Sequence, residues 1–286
     1  MTETIFAANG YLLTATGRAV VALPVALVVA GIAWRAGSLD RSGLVAAAAC
    51  GTLCVVGGWS WAFLLVAYFA AASVLTRAGK EQKEERVGGM VAKGGHRDFR
   101  QVIANGGIYS IAAAGTVITA APWLAWGAVG AIAAASSDTW ATEIGTWLGG
   151  EPRSIVTGTY VRPGESGGVT AVGLLASVGG ALWVVLVVVL LGFSRGLGIA
   201  AVVAGVGGSI ADSLLGATVQ ERRQCDVCGD LTERAVHRCG AVTRRIGGIP
   251  GLDNDVVNLV STFVGFMLGV IVYYIAAGLG SRSPIA

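Results

Sequence analysis

Residues 167–220 read GGVTAVGLLASVGGALWVVLVVVLLGFSRGLGIAAVVAGVGGSIADSLLGATVQ, with Arg195 and Asp212 as the only charged residues before the final turn. A helix needs about 20 mainly apolar residues to cross roughly 30 Å of hydrocarbon. The stretch therefore reads as two membrane spans, 167–193 and 197–219. The rest of the chain continues the pattern. Of its 286 residues, 54% are hydrophobic and 13% charged, and the mean hydropathy is +0.70. The charged share is about half of the roughly 25% usual in soluble domains. So few charges could not cover a soluble surface, so the bilayer is the main solvent. That excludes a secreted disulfide scaffold, a DNA-binding domain and a disordered tail. The 44 glycines have no Gly-X-Y period and sit inside apolar runs. There, small residues let membrane helices approach closely.

Eight spans are expected, at about 17–34, 43–57, 59–76, 101–121, 123–147, 167–193, 197–219 and 254–279. The second and third come from one run divided at Gly57-Gly58. The fold class is an all-α polytopic helix bundle, one transmembrane domain over 1–286. The loops then alternate between sides. Loops 35–42, 77–100, 148–166 and 220–253 hold seventeen of the twenty Lys and Arg, and the other side keeps Arg18, Arg195 and Arg282. Basic residues favour the cytoplasmic side. The loop-rich face is thus expected in the cytoplasm, with both termini outward, in the cell membrane. A net charge of +3 is too balanced to imply a nucleic-acid partner. The first eighteen residues have no basic stretch before an apolar core and read poorly as a secretory signal. In 77–100, the first half reads as a solvated linker. His96 to Arg100 runs into Gln101 and Asn105 and suits a substrate-facing rim.

Ionisable residues within spans are costly and usually face a cavity or a partner. Here they gather at the cytoplasmic ends of four spans. Asn105 opens the fourth, Asp138 and Glu143 lie in SSDTWATEIG of the fifth, and Asp212 ends the seventh. Asp253, Asn254, Asp255 and Asn258 open the eighth. Asp138 and Glu143 are five residues apart, about 140° around a helix, so both cannot point at one centre. Carboxylates and amides converging at one depth need a partner, and hard oxygen ligands suit Mg²⁺. Asp138 and Asp212, with Asp253, are the candidate Mg²⁺ ligands; a proton or Na⁺ site would use the same residues.

Two cytoplasmic loops carry further signals. The loop GGEPRSIVTGTYVRPGESGGVT places Gly164, Gly167 and Gly168 just before a helix, with Arg153 and Arg162 nearby. Backbone N–H groups at a helix start bind anions, and arginine forks onto phosphate oxygens. Neither a P-loop nor a dinucleotide fingerprint is present. The last loop, CDVCGDLTERAVHRCG, has the spacing C-x2-C-x8-H-x-C through Cys225, Cys228, His237 and Cys239. Three thiols and one imidazole make a tetrahedral zinc set with no open position, so a zinc insert over 225–239 would be structural. Reduced cytosolic thiols without metal, or a redox-active pair, are the plain alternatives. Cys50 and Cys54 lie in an apolar run, where Cys acts as a small hydrophobe.

The stretches QVIANGG (101–107), AAASSDTWATEIG (133–145), GESGGVTAVGLLAS (164–177), GGSIADSLLGATVQ (207–220) and GLDNDVVN (251–258) resemble an integral-membrane family. That family includes plant phytyl-phosphate kinase of the vitamin E pathway and was long catalogued as a membrane domain of unknown function. It is distantly similar to prenol and dolichol kinases and to CTP-using phosphatidate cytidylyltransferases. The first three spans match only in hydropathy. The resemblance implies a phosphotransferase that uses a nucleoside triphosphate, CTP above all. The acceptor would be a prenyl monophosphate lipid such as phytyl or geranylgeranyl phosphate. It implies Asp138, Glu143 and Asp212 as catalytic carboxylates, with Asn254 and Asn258 in the same polar site. Asn105 would help orient the polar groups, and Arg153, Arg162 and the glycines at 164, 167 and 168 would hold phosphate. Glu165 departs from the small hydroxyl residue usual in the family. Some relatives lack the cysteine cluster, which argues against a catalytic role for it. An ion-coupled transporter or lipid flippase is the competing class, because intramembrane carboxylates and Gly-broken helices suit one. The outer halves of the spans, nearly all Ala, Val, Leu and Gly, offer it no polar path. Oligomeric state is left open.

Overall fold

The computed structural model describes residues 14–87 and 95–280. Residues 1–13 of the N-terminal stretch read for a signal, part of the 77–100 loop and Arg282 lie outside those residues. The long helices are α1 (Ala15–Arg35), α2 (Arg41–Gly57), α3 (Trp59–Arg77), α5 (Phe99–Thr119), α6 (Pro122–Leu148), α7 (Ala171–Leu190), α8 (Arg195–Thr218) and α9 (Asn254–Gly280). A short helix, α4 (Lys80–Val87), precedes α5. The sequence reading made this segment a linker. KEQKEERV consists largely of strong helix formers, and its Lys83 is buried. The loops also hold short strands that an all-α reading does not anticipate: β1 (Arg153–Ser154) with β2 (Gly168–Val169), and the sheet order β4 (Leu231–Thr232), β3 (Arg222–Cys225), β5 (Thr243–Gly247).

Helix starts follow from side-chain caps. Asp40 Oδ1 accepts from Gly43 N–H at 2.7 Å, and Thr170 Oγ1 accepts from Gly173 N–H at 3.0 Å. Asp98 and Gln101 form a reciprocal capping box on α5. The Gly57-Gly58 division is real. Gly58 has φ +142°, a conformation that side chains resist, and it ends α2 and starts α3.

Successive long helices reverse direction. Tyr109 Oη of α5 donates to Trp61 O near the start of α3, while Arg97 just before α5 reaches Ser73 and Thr76 near the end of α3. Hydrogen bonds also tie the loops into one end of the bundle. Arg77 Nη2 donates to Ala36 O at 2.7 Å, and Arg86 Nη2 to Gly150 O at 2.8 Å. Ser166 Oγ donates to Glu233 Oε1 at 3.2 Å, and Arg100 Nη1 pairs with Asp253 Oδ2 at 2.7 Å.

Among the described residues, six helices are long and apolar enough to cross a membrane: α1, α3, α5, α7, α8 and α9. α2 is apolar but has 17 residues. α6 has 27 residues and is not among the six. Its Gly, Ser, Thr, Asp and Glu lower its hydropathy, and its position permits them. Every residue from Gly127 to Ser137 is buried, so this helix is surrounded by protein. It contacts α3, α4, α5, α7, α8 and α9. A helix so enclosed can hold Ser, Thr and Asp where a lipid-facing one cannot.

Candidate functional site

Small residues bring α6, α8 and α9 into backbone contact. A Cβ on Gly269 would lie 2.2 Å from Trp126 O, and one on Gly130 would lie 2.2 Å from Gly265 O. One on Gly208 would lie 2.3 Å from the Ala134 Cβ and 3.2 Å from Ser261 O. Three helices therefore meet at Ala134, Gly208 and Ser261. Asp138 and Asp212 each lie four residues further on, one turn along the same faces of α6 and α8. The close packing thus aims both carboxylates into one space, where they interact electrostatically. Ser261 of α9 lies against Asp212. At 1.5 Å per residue, Asp212 is about 9 Å from the end of α8.

Asp212 Oδ2 is buried without a hydrogen-bond partner, as is the Ser137 Oγ on the neighbouring turn of α6. A partnerless carboxylate oxygen beside a second carboxylate is an unsatisfied arrangement in a low-dielectric interior. A divalent cation would satisfy both, so the donor set fits the Mg²⁺ expected from the sequence. Tyr68 of α3 lies close to Thr139 and within electrostatic reach of both Asp138 and Arg97.

The other expected site residues divide. Glu143 does not face this space. Its Oε2 accepts from Lys83 Nζ at 2.5 Å and its Oε1 from Thr76 Oγ1 at 2.6 Å. Lys83 Nζ donates also to Leu75 O and Thr76 O, the carbonyls ending α3. Asp253 is forked by Arg100 and caps α9 through Val256 N–H. Asn254 and Asn258 stand on the first turns of α9, below Ser261. Asn105 Nδ2 donates to Gln101 O at 3.0 Å and lines a cavity between α1, α2, α3 and α5. Arg153 is exposed, stacks 4.0 Å over the Tyr160 ring and donates to Gly158 O. Arg162 is exposed, and its backbone N–H donates to Glu165. Gly164 turns with φ +84°. Gly167 lets the loop lie on the end of α8, where an added Cβ would meet Ala217 at 2.4 Å, while Gly168 packs within the loop, where one would lie 2.9 Å from Val161.

Glu233 is a residue the sequence reading missed. It lies in the cysteine insert, yet accepts from Gln220 Nε2 at 2.9 Å and from Ser166 Oγ, and it acts electrostatically on Asp212. Only the fold of the insert brings it there, and nothing in the local sequence signals it. Lys83 was hidden in a mixed-charge run for the same reason.

The insert forms as the spacing implied. The ligand atoms of Cys225, Cys228, His237 and Cys239 all lie within 4.8 Å of one another, so the cluster could hold a metal ion. Cys225 Sγ and Cys239 Sγ are 3.6 Å apart, and His237 Nδ1 is 3.2 Å from Cys239 Sγ. With Zn–S near 2.3 Å, tetrahedral thiolates stand about 3.8 Å apart, so the donors match zinc in kind and spacing. The Cys225 thiol is held below its ordinary value, first by the Cys228 backbone N–H; Cys228 is pushed up to about 12, first by its hydrogen bond with Cys239.

Comparison with known proteins agrees with the architecture. The family described as Integral membrane protein DUF92 matches residues 24–266. Protein PGR of Arabidopsis thaliana is 31% identical over 289 aligned residues, covering 90% of this chain and 97% of that protein. An uncharacterised membrane protein of Methanocaldococcus jannaschii is 30% identical, over 82% of this chain and 86% of its own. One from Synechocystis is 29% identical over 74% of each. No solved structure matches. The family match over most of the chain, the alignment with Protein PGR over 90% of it and the apolar helical bundle agree: the chain belongs to the DUF92 family of integral membrane proteins.

Proposed function

We propose that the protein is a prenyl-phosphate kinase. It would transfer the γ-phosphoryl group of CTP or another nucleoside triphosphate to a phytyl- or geranylgeranyl-type monophosphate. The single observation that carries this reading is the Asp138–Asp212 pair, aimed into one space near the loop end of the bundle with a buried carboxylate oxygen left unpartnered. A lipid acceptor and a water-soluble donor meet at such a depth. In the reaction, an acceptor phosphate oxygen bonds to the γ-phosphorus and the bond to the β–γ bridging oxygen breaks. The nucleoside diphosphate leaves with that electron pair. The acceptor is already anionic, so no general base is needed. Such a transfer asks mainly for positioning and charge neutralisation.

Mg²⁺ held by Asp138 and Asp212 would supply positive charge between the two sets of phosphates. Asn254 and Asn258 would orient the polar groups from α9. Asp253, engaged by Arg100, would join only after that pair opens. Glu143 would act by fixing α6 against α3 and α4 through Lys83. The loop of Gly164, Gly167 and Gly168, with Arg153 and Arg162, would receive the nucleotide. Zinc in the Cys225, Cys228, His237, Cys239 cluster would be structural. The asymmetry of Lys and Arg supports a cytoplasmic site in the cell membrane.

The test is direct. Protein in lipid nanodiscs is given CTP, Mg²⁺ and geranylgeranyl phosphate, and the diphosphate is assayed. Asp138→Asn and Asp212→Asn each should lower turnover at least a hundredfold without lowering thermal stability, since either change relieves repulsion between like charges. Absence of diphosphate with every prenyl phosphate and nucleotide tried would refute the kinase. A transporter using the same carboxylates would show no Mg²⁺-dependent stabilisation by CTP.

A further inference from the structure

A cavity of about 130 Å³ lies between α1, α2, α3 and α5. Its walls are apolar, including Val29, Ala47, Leu65 and Val66. Val29 and Val66 are 41% and 43% exposed, on the two helices that flank it, so it opens sideways into lipid. At its loop end stands Arg97, among the described residues the only charged one lining it. The guanidinium donates to Ser73 Oγ at 3.1 Å and Thr76 Oγ1 at 3.2 Å and packs 5.2 Å over the Phe69 ring. Among the described residues no carboxylate pairs with it. A half-buried arginine in a bundle, held only by hydroxyls and a ring, retains both charge and donors for an anion. An anion bound there would also have a tail, because the space beyond it is apolar. Tyr68, which lines the cavity, lies within electrostatic reach of both Arg97 and Asp138.

We infer that this cavity seats a single-chain lipid monophosphate, with its phosphate on Arg97 and its first chain segment in the cavity. The inference rests on the kinase reading for its acceptor and adds where that acceptor sits. The volume decides how much of the chain is held. An engineered cavity of about 150 Å³ accommodates benzene. This one therefore takes roughly one isoprene unit, and the rest of the chain leaves between α1 and α3 into the bilayer. Selectivity should fall on the phosphate and the first unit, and chain length should matter little. A two-chain glycerolipid does not fit the same slot.

The experiment is photo-crosslinking with a geranylgeranyl phosphate analogue carrying a diazirine on its first isoprene unit. It uses the full chain in nanodiscs without nucleotide. Crosslinks are expected on peptides of α1, α2, α3 and α5 that line the cavity. Excess geranylgeranyl phosphate should abolish them, and neither geranylgeraniol nor phosphatidic acid should compete. Arg97→Gln should raise the dissociation constant at least tenfold. Ala47→Leu, which fills the cavity and leaves the guanidinium alone, should weaken binding similarly; thermal unfolding of both variants confirms that they fold. Crosslinks elsewhere, equal competition by phosphatidic acid, or unchanged binding in both folded variants would overturn the inference. The two proposals fail separately. Crosslinking in the cavity without phosphoryl transfer would sink the kinase and keep the lipid site. Turnover with no cavity crosslink and an unchanged KM in both variants would do the reverse.

Discussion

Lys83 is 7% exposed, and its ammonium contacts the end of α3 and Glu143 of α6. One ammonium thus satisfies two helix-end carbonyls and one carboxylate. Removing a single partner of such a pair leaves an uncompensated buried charge, at a cost of about 3–5 kcal/mol, while replacing both with apolar residues is often neutral. Lys83→Met should therefore lower the unfolding temperature in detergent sharply, and Lys83→Met with Glu143→Leu should recover most of the loss. Equal loss in both would mean that the pair itself stabilises. The roles of single residues were only partly legible in the sequence. Asp138 and Asp212 stood out because a carboxylate inside an apolar run has no ordinary explanation. Lys83 and Glu233 did not, because what distinguishes them is a partner far along the chain.

At the level of elements, the glycine contacts of α6, α8 and α9 set the carboxylate geometry. A Cβ on Gly208 would need a shift of the Ala134 turn. Gly208→Ala should cost about 1–3 kcal/mol as overpacking and lower activity by moving Asp138 from Asp212. Gly31 on α1 has nothing within 4 Å of an added Cβ. Gly31→Ala should be neutral or stabilising by up to about 1 kcal/mol. Thermal unfolding and turnover of the two variants check this. The cysteine insert sets a second expectation. Its donors must be deprotonated to take a metal, so occupancy should fall as pH falls. Stripping the metal should raise hydrogen exchange across 222–247 and, through Glu233 and Ser166, across 164–168. Exchange confined to the insert would break that link. Helix ends were legible to within a few residues because hydropathy and caps are local. The small strands and α4 were not, because they depend on contacts between loops.

Across the whole molecule, charge distribution and helix order agree. Every loop that the alternation assigns to the basic side has described residues tied to another at one end of the bundle. Cys228 and Cys239 are exposed there, while Cys50 and Cys54 are buried. In sealed inside-out vesicles treated with chelator, a membrane-impermeant maleimide should label the insert; in right-side-out vesicles it should not. The opposite pattern would reverse the orientation. The number of long helices was readable from the sequence, but the centre of the bundle was not. Hydropathy reports which segments tolerate lipid, and α6 scores poorly because of the Gly, Ser, Thr and Asp that its enclosed position lets it carry.

That enclosure has a consequence for how the chain is made. The helix at the axis of the molecule is the one least able to leave the translocon for lipid on its own, since insertion favours apolar segments. α6 can settle only once neighbours offer it a protein surface. α5 precedes it, but α7, α8 and α9, which supply most of its surroundings, are synthesised later. The polar turn at Asp138 is therefore completed late, by helices from the far end of the chain.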